Sequence, residues 1–307
     1  MGWDLWIAMG MVAAISGLAF TAGRRLSLGV YRHRPLLLME CLAFSIVFAF
    51  GVFGRLSWVH AIPFSAAVCW SNWLPIFLSF AAGLATEMSA VRSGWRRLVV
   101  GVFLMIGVGF LMLPVARPHL SPIRLAEFDQ WRDGVCLQSN EASCGPAAVA
   151  TLLHQLRHAR PSSGVTRYEM QLADLCLTSG EGTSSLGLFR GLKVSLEGTG
   201  AQARVADSDP GFWQAKGQLP NIAIVQFDSL RKRNHIRGFL GQDGDKHAVV
   251  VHSRTADGRW KVADPAMGWS YWDDAMLRAA FTGEALFLSK ERTPDKAHAQ
   301  PFQLAGK

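Results

Sequence analysis

Four apolar runs, at about residues 5–22, 36–53, 66–85 and 98–116, approach or reach the roughly 18 to 20 residues a helix needs to cross a bilayer core. Backbone polar groups in hydrocarbon must be satisfied within the spanning structure, so such runs read as helices. They predict an all-α membrane region of about four helices over residues 1–116. The first, second and fourth runs are clean. The third begins near Trp58 and contains Pro63, Asn72 and Pro75, which suits a kinked span, an interfacial approach or a re-entrant piece. MGWDLW carries Asp4 and no cation ahead of its apolar run, which argues against a cleaved signal peptide. Glu40 and His60 fall near the ends of runs, where water and headgroups solvate them.

The cations between the runs are uneven. Arg24, Arg25, Arg32 and Arg34 separate the first pair, Arg55 alone the second, and Arg92, Arg96 and Arg97 the third. Lys and Arg favour the cytoplasmic side, so an even number of crossings puts both chain termini outside the cytoplasm. The expected setting is a bacterial inner membrane, with the region C-terminal to the spans extracytoplasmic. Anchoring arginines account for part of the net charge of +8, and Arg231, Lys232 and Arg233 read as a solvated loop, so no nucleic-acid partner is expected.

Past Ala116, ARPHLSPIRL has the prolines and polarity of a linker, taken as residues 117–133. A single domain is expected over 134–290, long enough to bury its own core, and a flexible tail over 291–307. Within the domain, Val149, Leu152, Leu153 and Leu156 recur at helical spacing over 146–158, with Gly145 and Pro146 suiting a first turn. Further short helices are expected at 168–177 and 186–192, separated by a Gly/Ser/Thr-rich segment at 178–185. Strands are expected at 223–227, 247–253, 260–263 and 285–288. Helices leading and an antiparallel sheet trailing make an α+β domain.

The stretch QSNEASCGPAA sets Cys144 at the start of the first of these helices. A thiol is a nucleophile as thiolate, and the unpaired N–H groups of a helix N-terminus favour negative charge. The same N–H groups can receive a tetrahedral oxyanion, with Gln138 as a second donor. A nucleophile of this kind also needs a base, and the base an acceptor that fixes its tautomer; His247 and Asp264 are the candidates. KHAVVVHSRTADGRWKVADPA reads as two strands around a turn at Asp257 and Gly258. An even-length loop would put His247 and Asp264 on one face, whereas an odd loop or a bulge would separate them.

These residues resemble the bacteriocin-processing, double-glycine cysteine peptidases, which have a papain-like fold. The resemblance covers roughly 134–288 and rests on QSNEASCGPAA, HAVVV and VADPAMG. It implies Cys144 as nucleophile, His247 as base, Asp264 as orienting acid and Gln138 as oxyanion donor. It implies cleavage after a small-residue pair such as Gly-Gly in a secreted or surface-assembled peptide or protein. Three departures stand out: Ser143 replaces an acidic residue before the nucleophile, no GxxxxGK[ST] phosphate loop is present, and the domain comes after the spans instead of preceding them. The chain is therefore not expected to power export itself, and a separate exporter or assembly machine is a candidate partner beside the lipid bilayer.

Two other readings use the same residues: a non-catalytic peptide-binding module, and an amidase or acyltransferase. No cofactor is expected, and with no CxxC or HExxH no metal site either. Cys136 and Cys176 are candidates for a disulfide in an extracytoplasmic domain. His252 has opposite parity to His247 and should point away. His154, His158 and His235 read as surface residues, and Trp269, Tyr271 and Trp272 as core.

Overall fold

The computed structural model of the chain describes residues 2–28, 34–87, 92–156, 167–227 and 246–290. The apolar runs form helices. They are α1 (Trp3–Leu28), α2 (Arg34–Gly51), the pair α3 (Ala67–Trp70) and α4 (Leu74–Ala85), and α5 (Ser93–Leu120). Among the described residues three stretches are long and apolar enough to cross a membrane: Trp3–Leu28, Ala67–Ala85 and Ser93–Leu120; Pro35–Gly51 is shorter. The break in the third run falls at its polar residue. Asn72 donates its side-chain amide to the carbonyl of Phe110 on α5 at 2.6 Å, and Pro75 sits in the first turn of α4, where a missing N–H loses no helical bond. α1 and α4 touch backbone to backbone, and a Cβ on Gly83 would lie 2.2 Å from the carbonyl oxygen of Phe20.

α5 runs to Leu120, past the boundary expected at Ala116, and β1 (Gln130–Arg132) precedes the expected start at Gly134. The connector is correspondingly shorter than the expected linker. β1 pairs with β2 (Val135–Leu137). Then come α6 (Cys144–Gln155), α7 (Tyr168–Leu175) and α8 (Ser185–Ser195). The rest is β3 (Ala201–Val205), β4 (Asn221–Val225), β5 (His247–Arg254), β6 (Trp260–Asp264), β7 (Gly268–Trp272), α9 (Asp274–Ala280) and β8 (Phe281–Lys290). Six strands form one antiparallel sheet in the order β3-β8-β4-β5-β6-β7. The α+β expectation and its papain-like order, helices first and antiparallel sheet after, hold.

β1, β2, β3, β7 and α9 are not expected from the sequence. α9 carries a clear start signal, since the Asp273 side chain accepts from the N–H of Met276 at 2.7 Å. Of the three aromatics expected in the core, Trp272 is buried, Trp269 half-buried and Tyr271 exposed. The basic run 231–233, His158, His235 and the tail 291–307 lie outside the described residues.

Alternation along the strands divides the core. Ile222, Ala248, Val250, Ala263 and Leu286 face α6 and α8, while Ala223, Val249, Val251, Val262 and Ala285 pack with Trp213, Trp260 and Leu277 on the other side. The first of these clusters is not confined to the C-terminal region. Leu56 and Val59, ahead of the third apolar run, and Ala67, at its start, are buried in it beside Val149 and Phe189. The two regions therefore share a core instead of meeting through a bare linker.

Candidate active site

Cys144 is the first residue of α6, with Ser143 before it as N-cap. The Ser143 hydroxyl is turned back on the loop: it accepts from the N–H of Asn140 at 3.0 Å and donates to its carbonyl at 2.8 Å. That leaves the first-turn N–H groups of α6 uncapped by a side chain. Pro146, which has no N–H, falls inside the same turn. Gly145 is required by proximity, because a Cβ there would sit 2.8 Å from the Thr183 side chain and 2.9 Å from Leu188 Cδ2.

His247 opens β5 and Asp264 closes β6. Nε2 of His247 lies 2.7 Å from Oδ1 of Asp264, and His247 and Cys144 line the same pocket. Oδ1 of Asp264 also accepts the N–H of Ala266 at 2.8 Å, so the carboxylate is held from two sides. Asp264 is 4% exposed at its side chain and His247 19%, which leaves the imidazole edge open toward solvent. Burial by itself disfavours a charged imidazole; the bond to Asp264, then the neighbouring Cys144, outweigh it and raise the His247 pKa to about 10.

The structure thus brings three of the four expected residues together, Asp264 bonded to His247 and His247 beside Cys144 at one pocket. Gln138 stands next to them. Its backbone N–H donates to the carbonyl of Pro265 at 2.8 Å, adjacent to Asp264. Its side-chain Nε2 donates to the carbonyl of Asn140 at 3.2 Å, while its Oε1 is buried with no partner among the described residues.

A pocket of about 300 Å³ opens over Cys144 and His247, walled by Asn140, Glu181, Thr183, Ser185 and Leu188 among others. One side of that wall comes from the Gly/Ser/Thr-rich stretch 178–185, whose composition suggests no more than a spacer between two helices. It is ordered by a small turn in which Ser179 and Gly182 bridge and the Thr178 and Thr183 hydroxyls lie 2.7 Å apart. Ser184 then caps α8, accepting from the N–H of Gly187 at 3.0 Å. A Ser before an apolar helical run is the signal by which this helix start is legible.

The other candidates lie elsewhere. Cys136 and Cys176 are free, fully buried thiols in the structure, and burial pushes both pKa values well up. His252 packs its ring against Trp269 at 5.6 Å, outside the pocket as expected from its parity. His154 is not a plain surface residue: its ring packs at a tilt against Trp131, centroids 5.0 Å apart, with Nδ1 buried.

Known proteins share this region. The model of the Peptidase C39 family matches residues 132–293, just over half of the chain. An uncharacterized protein of Methanothermobacter marburgensis is 32% identical over 154 residues, 50% of this chain and 87% of that protein. An uncharacterized protein of Methanothermobacter thermautotrophicus is 30% identical over 156 residues, 51% of this chain and 88% of its own length. Among solved structures, a double glycine motif protease from an AMS/PCAT transporter, in complex with the leader peptide, is similar at a TM-score of 0.38 and 19% identity, over 54% of this chain and 94% of that one. The peptidase domain of Streptococcus ComA, a bi-functional ABC transporter, is similar at 0.37 and 18%, over 53% and 98%. By the family match, the chain belongs to the Peptidase C39 family and is a cysteine peptidase.

Proposed function

We propose that the chain is a membrane-anchored peptidase working through a Cys144–His247–Asp264 triad, with Gln138 completing an oxyanion site. The hydrogen bond between the His247 imidazole and the Asp264 carboxylate, beside a pocket that His247 lines together with Cys144, is the observation that carries this reading.

In the proposed reaction the Cys144 thiolate attacks the carbonyl carbon of a bound peptide, and the oxyanion is met by N–H groups at the start of α6. One N–H of the Gln138 amide is engaged by Asn140, which leaves the other as a donor. His247, as imidazolium, gives its proton to the leaving amine, so the C–N bond breaks and a thioester remains. Water, deprotonated by the now neutral His247, then attacks the thioester and frees the carboxylate and the thiol. Asp264 holds the ring so that its other nitrogen faces sulfur throughout.

Cleavage after a small-residue pair such as Gly-Gly is the substrate reading, supported by membership of the family. The peptidase side of the membrane is proposed to be extracytoplasmic. Three contacts support it: Asp4 of α1 with Arg190, Leu56 with Glu284, and Ser121 after α5 with Gly180. They gather one set of helix ends at the peptidase, whereas Arg24, Arg25, Arg92, Arg96 and Arg97 stand at the opposite ends of α1 and α5.

The test compares secreted and surface proteins from cells carrying the native chain with those carrying Cys144→Ala, by N-terminal sequencing. An unprocessed precursor should accumulate with Cys144→Ala while the chain's abundance and membrane insertion are unchanged. Identical processing in both would refute the mechanism.

A further inference from the structure

β8 contains an irregularity that the triad does not use. Val225 pairs with Phe281 and Ala223 with Ala285, so residues 282–284 swell out of the ladder opposite Ile224. Gly283 lies at φ +89°, a conformation that side-chain-bearing residues rarely adopt, and the Thr282 hydroxyl anchors the swelling on the carbonyl of Ile224 at 2.9 Å. Bulges of this kind re-aim a side chain. Here the side chain is Glu284.

Both of its oxygens are used, and they face different parts of the molecule. Oε1 accepts the N–H of Leu56 at 2.8 Å, in the turn between the second and third apolar runs. Oε2 accepts the hydroxyl of Ser185 at 2.6 Å, and Ser185 is the first residue of α8 and part of the pocket wall. The same wall is held to the membrane helices twice more. The N–H of Gly180 donates to the carbonyl of Ser121, directly after α5, at 2.7 Å, and Arg190 of α8, 3% exposed, is paired with Asp4 of α1.

We propose that Glu284 is a positioning residue for peptide binding: it fixes Ser185 and the first turn of α8 to the turn at Leu56, so that the wall of the pocket takes its shape from the membrane region. The proposal rests on the reading of this pocket as the substrate site. A carboxylate suits the task because hydrogen bonds to a charged acceptor are the stronger ones, and one group can accept from a backbone N–H and a hydroxyl together. Glu284 touches neither Cys144 nor His247, and its effect is on where the wall stands.

The experiment uses the full chain in lipid nanodiscs, native and with E284A or E284Q. Three quantities are followed: amide hydrogen exchange, the rate of Cys144 alkylation by iodoacetamide, and kcat and KM for a fluorogenic peptide ending in Gly-Gly. With E284A, exchange over residues 179–188 should rise about tenfold while that of α6 stays unchanged, and KM should rise about tenfold with kcat and alkylation nearly unaltered. E284Q, whose amide accepts from Leu56 and donates to Ser185, should return both exchange and KM toward native values. Unchanged exchange with E284A overturns the proposal. So does increased exchange spread through α6 and the sheet, or E284Q as impaired as E284A. If the native chain alkylates rapidly at Cys144 but leaves the Gly-Gly peptide intact, the substrate reading fails by itself, and the exchange pattern alone decides the role of Glu284.

Discussion

His247 and Asp264 meet at 2.7 Å because two irregularities in the hairpin between them cancel. Arg254 pairs with Trp260, so the turn holds the five residues 255–259, an odd number. Continued without a break, that ladder would set Asp264 against Val250, on the face opposite to His247. Instead the register slips between Val251 and Ser253, leaving His252 as the extra residue of a bulge, and Val250 then pairs with Ala263. Carried one step further, this register sets Asp264 against Val249, on the face of His247. Each feature alone would have separated the pair.

Deleting His252 should therefore undo the site without changing any of its residues. Cys144 should alkylate more slowly than in the native chain, whereas His252→Ala, which keeps the residue count, should alkylate at the native rate. Rapid alkylation after the deletion would show that the bulge is not what aligns the two strands.

Asp264→Asn should lower kcat/KM by about a hundredfold or more, since an amide can hold the ring in the wrong tautomer and gives no charge to stabilise the imidazolium. It should also move the alkaline limb of the pH profile. His247 is raised to about 10 from an ordinary 6.5, so the native site keeps its imidazolium until the pH passes the raised value. Without the Asp264 charge that limb should shift to lower pH. The sign for stability is the same: a raised pKa stabilises the fold fully below about pH 6.5, and that contribution is lost as pH climbs toward 10. An unmoved alkaline limb would mean that His247 owes its charge to something other than Asp264.

Arg190 is buried and Asp4 partly so, with side-chain exposures of 4% and 33%. Removing only Asp4 leaves the buried guanidinium with the Ser65 carbonyl but no counter-charge, so Asp4→Ala should cost about 2 kcal/mol in detergent unfolding, less than a fully buried pair because Asp4 is partly solvated. The double substitution with Arg190→Met should cost less than the sum of the two single changes. Additive losses would indicate that the pair is not coupled.

Gly145→Ala should destabilise the fold by roughly 1 to 3 kcal/mol, because its methyl would press on Thr183 and Leu188 across the pocket mouth. Adding Thr183→Gly should recover part of the loss, measured as a shift in unfolding midpoint. A Gly145→Ala chain as stable as native would show that this wall yields easily.

Native-state alkylation should also separate the cysteines. Cys144 borders the pocket, while Cys136 and Cys176 are fully buried with pKa values pushed up by that burial. Both should label only after unfolding, and either one labelling at the rate of Cys144 would contradict the packing described.

Much of this molecule is local and therefore legible in the chain. Apolar runs of bilayer length announce helices, the uneven arginines between them distinguish their ends, and a thiol ahead of Gly145 and Pro146 marks a helix start. β4, β5, β6 and β8 are readable because alternation or continuous apolarity repeats over several residues. β3 and β7 are too short and mixed to stand out from their neighbours.

The order of residues is enough to name the groups available, Cys144, His247, Asp264 and Gln138, and the kind of element on which each lies. Whether His247 and Asp264 meet is settled in three dimensions, by a bulge at His252 that compensates an odd turn. Folding likewise turns the 178–185 stretch from apparent spacer into pocket wall, and buries Leu56, Val59 and Ala67 in a core shared by both regions. One cause underlies all three. Propensity and hydrophobic period act over a few residues, whereas register, wall placement and shared burial depend on pairing segments far apart in the chain, whose energy no local window contains.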